Sequence, residues 1–458
     1  MRRELYYFEI SPICFLTDRE VCLHIRALNG KYSFESGKKY TIKILEVSVA
    51  QESRFTGSGC TRECFAESDE NGVINLTVSC RCEGMYFIKV YDEDRIICTL
   101  RVYALDNDMK GLYPYRGDFH MHTCRSDGSE DPFTVVGNYR EAGYDFTIIS
   151  DHGRYYPSLQ ARKKFRIGPD DSSPITDMLI IPGEEVHLPL NDVHYINCGG
   201  QFSINALVTP NANQELAGDC PSWRSLSGKC PPVMTREDFI NMIRERAEII
   251  DRPLESERLS MAVSEWTYEK VAEGGGLGIF PHPYWLCETM QLSEDYVYYF
   301  YKRKPFDAFE VLGGESYYQH NGFQTSFYYE NREAGFKYPV VGSTDSHGST
   351  DMNGNSRICS TIVFSTGNTT AEIIDAVKGG RSVAVDTISA EYRLVGDFRY
   401  VKYASFLMEE WYPLHDRLCV PQGFYMREFA NGNSDAEGIL VSLKGQVPKM
   451  EKRLFELD

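Results

Sequence analysis

No run of apolar residues approaches the length that a bilayer-spanning helix needs, although 42% of the 458 residues are hydrophobic. Basic residues are also in deficit, because 48 Lys and Arg stand against 66 Asp and Glu, and the formal net charge is −18. These absences argue against a membrane and against extended nucleic acid as partners, since a surface of this charge repels polyanions. A small phosphorylated molecule stays compatible, because bound cations reverse the charge locally.

A secretion signal and paired cysteines are missing as well. The first residues, Met1-Arg-Arg-Glu4, carry charges before any apolar segment could form the core of a signal peptide. The 14 cysteines are scattered singly, many of them within apolar runs, which favours reduced thiols in a chain of this length. We therefore expect a cytoplasmic protein, and the sequence gives no indication of its oligomeric state.

The stretch from Gly117 to Gly128 places His120, His122 and Asp127 within eight residues. In an extended segment alternate side chains point the same way, so the two histidines can present both imidazoles to one ion. The Ser-Asp-Gly turn that follows can return the Asp127 carboxylate toward the same cavity. A single pair of this kind is weak evidence for a metal site, and its recurrence downstream carries the argument.

Further clusters of histidine and carboxylate residues follow, each after an apolar run. Their members are Asp151 and His152; Glu184, Glu185, His187 and His194; His282; and Asp345 with His347. Seven of the ten histidines lie in these clusters or in the opening one. Histidines that only fill a core would not recur in this way, so the pattern predicts a shared metal site.

The chain divides into three regions by composition. Residues 1–110 alternate turn signals with short β-rich segments, which is typical of a small sandwich. Residues 115–390 alternate strands with helices, which indicates a β/α architecture with a parallel sheet. In a closed barrel of this kind the carboxyl ends of the strands share one face, and we expect all the clusters there. Residues 391–458 are an extension of unknown role.

Local signals place some helices within the β/α region. Asp131 and Pro132 predict a helix start, and Gly143 predicts its end. The segment 199–274 is longer than an ordinary connection, and two helices are predicted in it, at 237–250 and 259–272. This insertion either covers the metal face, where it would select substrate, or packs on the outside of the barrel.

The order His-X-His, Ser-Asp-Gly, Asp-His, Pro-Gly-X-Glu, His, His-Pro, Asp-X-His resembles the PHP (polymerase and histidinol phosphatase) superfamily. The Gly-Asp-Phe-His-Met-His-Thr opening and the Pro-Gly-Glu-Glu centre look most like its branch of metal-dependent phosphoesterases related to the CehA/McbA metallohydrolases. The resemblance covers residues 115–390. It implies an α/β fold, a distorted (β/α)7 TIM-like barrel (PHP fold), preceded here by a small all-β sandwich-like N-terminal domain.

The resemblance also implies two to three divalent metal ions and nine ligands. One ion would use His120, His122, Glu185 and Asp345, with Glu185 bridging to a second ion at His194 and His282. A third ion would use Asp127, His152 and His347. Nitrogen and oxygen donors without cysteine suit Zn, Mn or Fe, and the Pro-Gly-X-Glu pattern selects Glu185 over Glu184.

A metal site of this composition predicts a metal-dependent phosphoesterase, in which a metal-activated hydroxide at a trinuclear site hydrolyses a small phosphorylated molecule. We expect Glu185, Asp345 and His347 to take part in the chemistry. The planar guanidinium groups of Arg125 and Arg154 suit phosphate oxygens. A carboxyl- or carbamate-ester hydrolase that uses the same metals is one alternative, and a non-catalytic ligand-binding protein is another.

Other polar residues near the motifs have supporting roles in this interpretation. We expect Asp118 and Asp151 to orient neighbouring ligands, as carboxylates beside metal sites commonly do. His187 shares a strand face with Glu185, but it matches no ligand of the resembled family, and a hydrogen-bonded structural role is expected. The same role is expected for His24, His320 and His415.

Overall fold

The computed structural model describes residues 2–47, 62–191, 193–208, 224–226, 229–287, 289–313, 318–349, 359–387 and 393–458. The chain forms two compact units. The first consists of Met1–Leu112, Lys402–Leu418 and Gly445–Asp458, and the second of Tyr113–Val401 and Cys419–Lys444. Within the described ranges, no helix is both long enough and apolar enough to cross a membrane.

Strands dominate the first 112 residues. Their side chains alternate between buried and exposed, as in Glu20–Ala27, where Val21, Leu23 and Ile25 are buried and the residues between them are exposed. A half-buried sheet has this pattern. The elements are α1 (Glu4–Tyr7), β1 (Phe8–Ser11), β2 (Cys14–Leu16), β3 (Glu20–Ala27), β4 (Lys39–Glu46), β5 (Arg62–Glu67), β6 (Val73–Ser79), β7 (Gly84–Asp92) and β8 (Arg95–Leu105).

Strands and helices alternate through the middle of the chain. The elements up to the insertion are β9 (Tyr113–Asp118), α2 (Pro132–Glu141), β10 (Phe146–Ile148), α3 (Tyr156–Lys164), β11 (Leu179–Ile181), β12 (Gly183–Val186), β13 (Tyr195–Cys198) and α4 (Asn205–Val208). The next are α5 (Arg236–Ala247), α6 (Glu255–Glu273), β14 (Leu277–Phe280), β15 (Leu286–Cys287), β16 (Thr289–Met290), α7 (Glu294–Arg303), β17 (Ala308–Leu312), α8 (Tyr318–Glu333) and β18 (Val340–Gly342). Then follow β19 (Cys359–Ser365), α9 (Thr370–Lys378), β20 (Ser382–Asp386) and β21 (Arg393–Gly396).

The end of the chain is helical apart from one short strand. Its elements are α10 (Phe398–Glu410), α11 (Tyr412–Ala430), α12 (Ala436–Leu443), α13 (Gln446–Leu454) and β22 (Phe455–Glu456).

The first unit contains two sheets. One has the strand order β1-β3-β6 and is antiparallel, and the other has the order β22-β2-β8-β7-β4-β5. β2 pairs in parallel with both β8 and β22, so the last strand of the chain joins a sheet built from its beginning. The predicted β-rich segment is present, but the unit is not purely β, because helical residues of Lys402–Leu418 belong to it.

The second unit is mixed α/β and also has two main sheets. Their strand orders are β11-β10-β9-β19-β20-β21 and β12-β13-β14-β17-β18. β9, β10 and β11 run parallel, as do β14, β17 and β18, but β12, β13 and β14 are antiparallel neighbours. The predicted parallel sheet is therefore present only in part, in β9 to β11 and in β14, β17 and β18.

The direction of β13 has a local cause. β12 returns into β13 without a crossover helix, through a turn in which Leu190 has a φ of +66°. As a result His194 lies just before the amino end of β13, and Glu185 lies within β12. The expectation that every cluster follows the carboxyl end of a strand is wrong for His194, whereas Glu184 and Glu185 follow the carboxyl end of β11 as predicted.

Backbone hydrogen bonds continue past the strand ends and join the two sheets of the second unit. The Asp345 N–H donates to the His120 carbonyl at 2.8 Å, and the Glu185 N–H donates to the Ser150 carbonyl at 2.9 Å. The Ser150 N–H in turn donates to the Met121 carbonyl at 3.0 Å. Residues that carry predicted ligands therefore stand on neighbouring, hydrogen-bonded backbone segments.

An apolar core of strand side chains from both sheets, together with α9, lies beneath these segments. Close packing there requires glycine at position 183, two residues before Glu185, because a Cβ would lie 2.2 Å from Cδ1 of Ile148. The core includes Phe119, directly after β9, and the strand residues Phe146, Ile148, Leu179, Ile181, Ile196, Cys198, Leu277, Ile279, Ala308, Val341 and Val363.

Helices predicted from local signals are confirmed. The Asp131 side chain caps α2 by accepting hydrogen bonds from the backbone N–H groups of Phe133 and Thr134, at 2.9 and 3.2 Å. The two helices expected in the insertion are α5 and α6. Both bury apolar side chains in the second unit, among them Phe239 and Trp266. Much of the preceding Asn- and Pro-rich part of the insertion lies outside the described residues.

One buried carboxylate in the first unit responds to pH. Glu410 is 2% exposed, and its carboxylate lies 3.1 Å from Nε of Arg2 and 3.6 Å from Nη1 of Arg101. Burial raises the pKa of Glu410 from its ordinary value of 4.5 to about 7, although the two arginines act in the opposite direction. The fold therefore favours the protonated form of this side chain.

We predict that the stability of the first unit falls as pH rises from 4.5 to about 7. A carboxyl group whose pKa is raised in the folded state contributes its full stability below its unfolded-state pKa and loses it as pH passes the folded-state pKa. At about 1.4 kcal/mol per pKa unit, the free energy of unfolding should drop by at most about 3.5 kcal/mol. Chemical denaturation of the wild type and of Glu410→Gln across this range measures the effect.

The matched control is Glu409→Gln, which removes a half-exposed carboxylate from the adjacent position. This variant should keep the pH dependence of the wild type, because its side chain is not desolvated. Equal pH slopes in wild type and Glu410→Gln would show that the buried carboxyl group is not responsible.

Candidate metal centre

The segment after β9 brings His120 and His122 together with Asp345, which lies beyond β18. The Nε2 atoms of the two histidines are 3.1 Å apart. Oδ1 of Asp345 lies 3.2 Å from Nε2 of His120 and 3.0 Å from Nε2 of His122. Both imidazoles are buried. These three side chains form a group whose donor atoms could hold one metal ion.

Glu185 lies between this group and a second set of histidines. Its Oε2 atom lies 3.4 Å from Nε2 of His120 and 3.3 Å from Nε2 of His122. Its Oε1 atom lies 2.7 Å from Nδ1 of His194 and 3.7 Å from Nε2 of His282. The two oxygens thus face different histidine sets, which is the arrangement that a bridging carboxylate requires.

A further group surrounds Asp127. Its Oδ2 atom lies 3.3 Å from Nε2 of His152 and 3.3 Å from Nε2 of His347. Its Oδ1 atom lies 4.0 Å from Nδ1 of His122. His122 therefore has one ring nitrogen toward Asp127 and the other toward Asp345, so it lies between the first group and this one.

Each of the nine residues predicted as ligands thus has a donor atom within 3.7 Å of a donor atom of another, and the nine differ in exposure. The side chains of His120, Glu185 and His282 are at most 5% exposed, whereas those of Asp127 and His347 are 54% and 38% exposed. The buried members define the floor of the centre. The Asp127 side is open to solvent and is where a ligand can approach.

Buried donor atoms without hydrogen-bond partners show, independently of the family resemblance, that this set of side chains fits metal ions. Several of its buried nitrogen and oxygen atoms have no hydrogen-bond partner in the described part of the chain: Nδ1 of His122, both carboxylate oxygens of Glu185, Nδ1 of His194 and Nδ1 of His282. Buried polar atoms without partners are costly, and carboxylates most of all. A cation is the natural partner for converging imidazole nitrogens and carboxylate oxygens.

The protonation states of His122, Glu185 and Asp345 suit metal binding, whereas nearby carboxylates, acting against burial, raise the pKa of His120, His152 and His282. Burial lowers the pKa of His122 to about 4, so its imidazole is neutral near pH 7 and keeps a free lone pair. Burial opposes the charge on Glu185 and Asp345, yet the surrounding histidines hold the pKa of both carboxyl groups below the ordinary range. Neutral imidazole and ionised carboxylate are the forms that ligate cations.

Two of the predicted ligands have unusual backbone conformations. His282 has a φ of +22° and Asp345 a φ of +46°, in a region that non-glycine residues rarely occupy. Such conformations cost about 1–3 kcal/mol each, and they cluster at functional sites, where the surrounding structure holds them in place. At Asp345 the hydrogen bond from its N–H to the His120 carbonyl supplies part of that support.

Asp118 and Asp151 hold the loops that carry the ligands. Asp118 accepts hydrogen bonds from the backbone N–H groups of Thr344 at 2.9 Å and His120 at 3.3 Å. Asp151 accepts hydrogen bonds from Thr123 N–H at 2.8 Å and from Ser126 Oγ at 2.6 Å. Burial raises the pKa of Asp118 to about 7. Both side chains therefore contact the supports of the ligands, as expected of orienting groups.

Glu184 points away from the centre, toward the start of the insertion. Its carboxylate accepts hydrogen bonds from Ser203 Oγ at 2.7 Å and from Asn205 Nδ2 at 3.1 Å. Alternation along β12 thus gives the two adjacent glutamates different roles. Glu185 faces the histidines, and Glu184 fixes the segment that follows β13.

Glu310 is a functional candidate that the sequence motifs miss. This fully buried residue of β17 has Oε2 3.1 Å from Nδ1 of His120, and its Oε1 accepts a hydrogen bond from His282 N–H at 3.2 Å. A carboxylate behind a ligating histidine fixes the tautomer and the orientation of the ring. The available signal was a lone charge inside the apolar run Ala308–Leu312.

Arg125 and Arg154, the expected substrate contacts, are not among the side chains that converge. Both are half-buried, and within the described ranges neither guanidinium makes a hydrogen bond or ion pair with a side chain. Their charges act on the phenol of Tyr156, so the two arginines lie in the same neighbourhood. Arg125 comes two residues before Asp127, and Arg154 two residues after His152.

Of the four histidines expected to be structural, two lie in the first unit and two lie near the predicted ligands. His24 is exposed in β3 and contacts Oδ1 of Asn75 at 2.7 Å, and His415 is buried in the first unit beside Asp416. His320 is buried 6.5 Å from the His282 ring, measured between ring centroids. His187, in contrast, joins the centre, where its Nε2 atom lies 2.7 Å from Nδ1 of His152.

No family model and no curated protein matches this chain. Among solved structures, it is similar to a two-domain protein from Bacteroides vulgatus containing a PHP-like metal-dependent phosphoesterase, with 15% identity and a TM-score of 0.37. That match covers 60% of this chain and 65% of the other, so this chain spans less than two thirds of that protein.

Two further solved structures show a similar degree of likeness. A metal-dependent phosphoesterase from Bifidobacterium adolescentis is 18% identical with a TM-score of 0.31, over 52% of this chain and 89% of the other. An amidohydrolase from Chromobacterium violaceum is 13% identical with a TM-score of 0.31, over 51% and 88%. At such TM-scores a shared fold does not follow, and the functional conclusion depends on the geometry of the site.

We predict that Glu310→Gln weakens metal binding by 10–100-fold, the usual effect of removing a partner behind a ligand. The Glu310 carboxylate accepts a hydrogen bond from Nδ1–H of His120, which leaves the lone pair on Nε2, the nitrogen that faces Asp345. An amide can donate to Nδ1 instead, which would place the proton on Nε2 and block ligation. Competition between the protein and a chelator for Zn²⁺ measures the affinity.

Glu184→Gln is the matched control, because it changes an equally buried carboxyl group in the second unit that contacts none of the predicted ligands. We expect this variant to lose stability without losing zinc affinity. If Glu310→Gln and the wild type bind zinc equally, the positioning role of Glu310 is wrong.

Proposed function

We propose that this protein is a metal-dependent phosphoesterase of the PHP type, which hydrolyses a small phosphorylated molecule. The observation that carries the proposal is the arrangement around Glu185. Two separate histidine sets face its two oxygens, and a third group at Asp127 adjoins them through His122 and His152. Binding proteins have no need of converging His, Asp and Glu side chains at this density, so catalysis is the better explanation.

The fold that we infer for this function is a distorted barrel of seven strands: β9, β10, β12, β13, β14, β17 and β18. Three features support it. The second sheet supplies the run from β12 to β18, β9 pairs with β10, and isolated bridges link Met121 with Ser346 and His152 with Glu185. Those bridges lie at the level of the metal ligands. The barrel would thus be closed at its functional end by the backbone of the site.

Divalent cations bound here would supply Lewis acidity toward a phosphoryl oxygen and an activated water nucleophile near neutral pH. The residues of the chain bind and orient. The carboxylates of Glu185 and Asp345 would neutralise the charge of the cations bound beside the buried histidines. Three further carboxylates hold the ligand-bearing segments in position: Asp118, Asp151 and Glu310. No nucleophile on the protein is required, and no covalent intermediate is expected.

The distribution of exposure supports entry of the substrate from the Asp127 side of the centre. Because His120, His122 and Glu185 are buried, bulk water cannot reach their side of the centre. Asp127 and His347 are partly exposed, and a substrate entering at this side meets them first. The leaving group would remain toward solvent there.

Arg125 and Arg154 favour a phosphate ester over a carboxyl or carbamate ester. Both guanidinium groups belong to segments that carry predicted ligands; Nε of Arg125 is buried without a hydrogen-bond partner among the described residues, and the charge of Arg154 acts on the Asp151 carboxylate. An unpaired guanidinium is a suitable partner for a phosphate dianion, which it can bind through two hydrogen bonds. A neutral ester gains little from such groups.

We predict that His122→Ala and Asp345→Ala abolish hydrolysis and leave the fold largely intact. Each substitution removes a donor atom from the innermost group, where three donor atoms lie within about 3 Å of one another. Release of phosphate from an aryl phosphate and an aryl phosphodiester, and cleavage of an aryl ester, should be measured on metal-loaded samples. His24→Ala, an exposed histidine of the first unit, serves as the control.

Full activity in either variant would refute the metal assignment. If the wild type cleaves only the aryl ester, the carboxyl- or carbamate-ester hydrolase is favoured. If the metal-loaded wild type hydrolyses none of the three compounds, the non-catalytic ligand-binding protein is favoured.

Substituting the arginines should separate phosphate recognition from chemistry. Arg125→Gln and Arg154→Gln are each expected to lower kcat/KM for the aryl phosphate by roughly tenfold or more, since a hydrogen bond to a charged group contributes about 1.5–3 kcal/mol. The effect on any aryl ester cleavage should be much smaller. Arg95→Gln, an exposed arginine of the first unit, is the control. Equal losses on both substrates would mean that the arginines do not recognise phosphate.

A further inference from the structure

His187 lies at the solvent-exposed side of the centre and is not one of the nine predicted ligands. It follows β12 directly, two residues after Glu185, so both side chains point to the same face. Its ring packs between the rings of His152 and His194, at centroid distances of 4.6 and 4.7 Å. Its backbone N–H donates to Oδ1 of Asn205 at 3.1 Å, which fixes the position of the residue.

Three donor atoms converge at this point. Nε2 of His187 lies 2.7 Å from Nδ1 of His152 and 3.9 Å from Oε2 of Glu185, and Nδ1 of His152 lies 2.8 Å from the same oxygen. Ligands of a tetrahedral zinc ion at about 2.0–2.1 Å stand roughly 3.3 Å from one another, so these separations bracket the required value. The three atoms form one of the groups able to hold a metal ion.

A simple hydrogen-bonded pair does not account for this geometry. A single proton on Nδ1 of His152 cannot point at both His187 and Glu185, which lie 2.7 and 2.8 Å away. Oε2 of Glu185 is a fully buried oxygen without a hydrogen-bond partner among the described residues. Its charge needs a positive partner at this position.

We propose that His187 is a metal ligand, and that His187, Glu185 and Nδ1 of His152 form a cation position which the nine-ligand pattern does not include. This inference rests on the proposed metal-dependent function. When this position is occupied, His152 leaves the third predicted ion to Asp127 and His347, ligates through Nδ1 as a neutral imidazole and keeps its proton on Nε2. That N–H then faces Oδ2 of Asp127 at 3.3 Å, an arrangement common behind ligating histidines.

The partial exposure of His187 gives this position a distinct character. Its side chain is 40% exposed, whereas Glu185 is fully buried, so the cation would lie at the mouth of the centre. A divalent ion there would have the buried Glu185 carboxylate on one side and solvent on the other. An anionic substrate could reach it without displacing any of the buried ligands.

The first test compares zinc binding by wild type, His187→Ala and His24→Ala. Each protein is equilibrated with a chelator-buffered Zn²⁺ series, and the bound metal is counted by elemental analysis. We expect His187→Ala to lose one equivalent, or to bind its weakest equivalent at least tenfold less tightly, since even an outer partner of a ligand accounts for 10–100-fold. His24→Ala should match the wild type. His187 is partly exposed, so Ala is tolerated, and circular dichroism verifies the fold.

A second variant gives a positive signal. In Co²⁺-loaded His187→Cys, a thiolate at the metal produces a sulfur-to-cobalt charge-transfer absorption that the wild type lacks, whereas His24→Cys should show no such band. Unchanged zinc binding in His187→Ala, together with no new band in His187→Cys, would overturn the additional position and leave the proposed function intact. A metal-loaded wild type that hydrolyses none of the three test compounds would instead contradict the proposed function and leave this metal site standing.

Discussion

The carboxylate of Glu185 has no solvent exposure, and six histidine rings lie within 4 Å of its oxygens: His120, His122, His152, His187, His194 and His282. Removing a carboxylate from water costs several kcal/mol unless opposite charge surrounds it. Neutral imidazoles supply little of that charge, whereas cations held between the carboxylate and the rings would supply it fully. The architecture of the second unit around Glu185 follows from this requirement.

Much of the unit serves to hold donor atoms at fixed distances. Backbone hydrogen bonds tie His120 to Asp345 and Ser150 to Glu185, so segments distant in sequence are neighbours in space. The core beneath them is so closely packed that Gly183 cannot carry a side chain. Buried carboxylates then fix the loops: Asp118 at Thr344, Asp151 at Thr123, and Glu310 behind His120. Such preorganisation lets metal ions bind without reordering the chain.

Motif order in the sequence predicts which side chains converge, because metal ligation restricts residue type and spacing. It could not identify Glu310, since a single carboxylate inside an apolar strand matches no motif and its role appears only when His120 is folded against it. His187 was assigned a structural role for the same reason, as its contact with His152 depends on how β12 and the loop after β10 approach each other.

The sequence predicts the positions of several helices, but it does not predict the relative directions of the strands. Capping residues located α2, and periodicity located α5 and α6, because those signals are local. The antiparallel course of β12, β13 and β14 was missed, because short strands that are buried on both faces show no alternation and do not encode direction. The two-residue strand β22 pairs with β2 across most of the chain length, and no local pattern announces such a contact.

We propose that cations occupy positions on both sides of the Glu185 carboxylate. Anomalous diffraction from crystals of the zinc-loaded protein, collected on both sides of the zinc absorption edge, would locate them. We expect anomalous peaks adjacent to both Oε1 and Oε2 of Glu185, together with a further peak at Asp127. Zinc bound elsewhere in the crystal, with no anomalous peak within coordination distance of Glu185, would contradict this proposal.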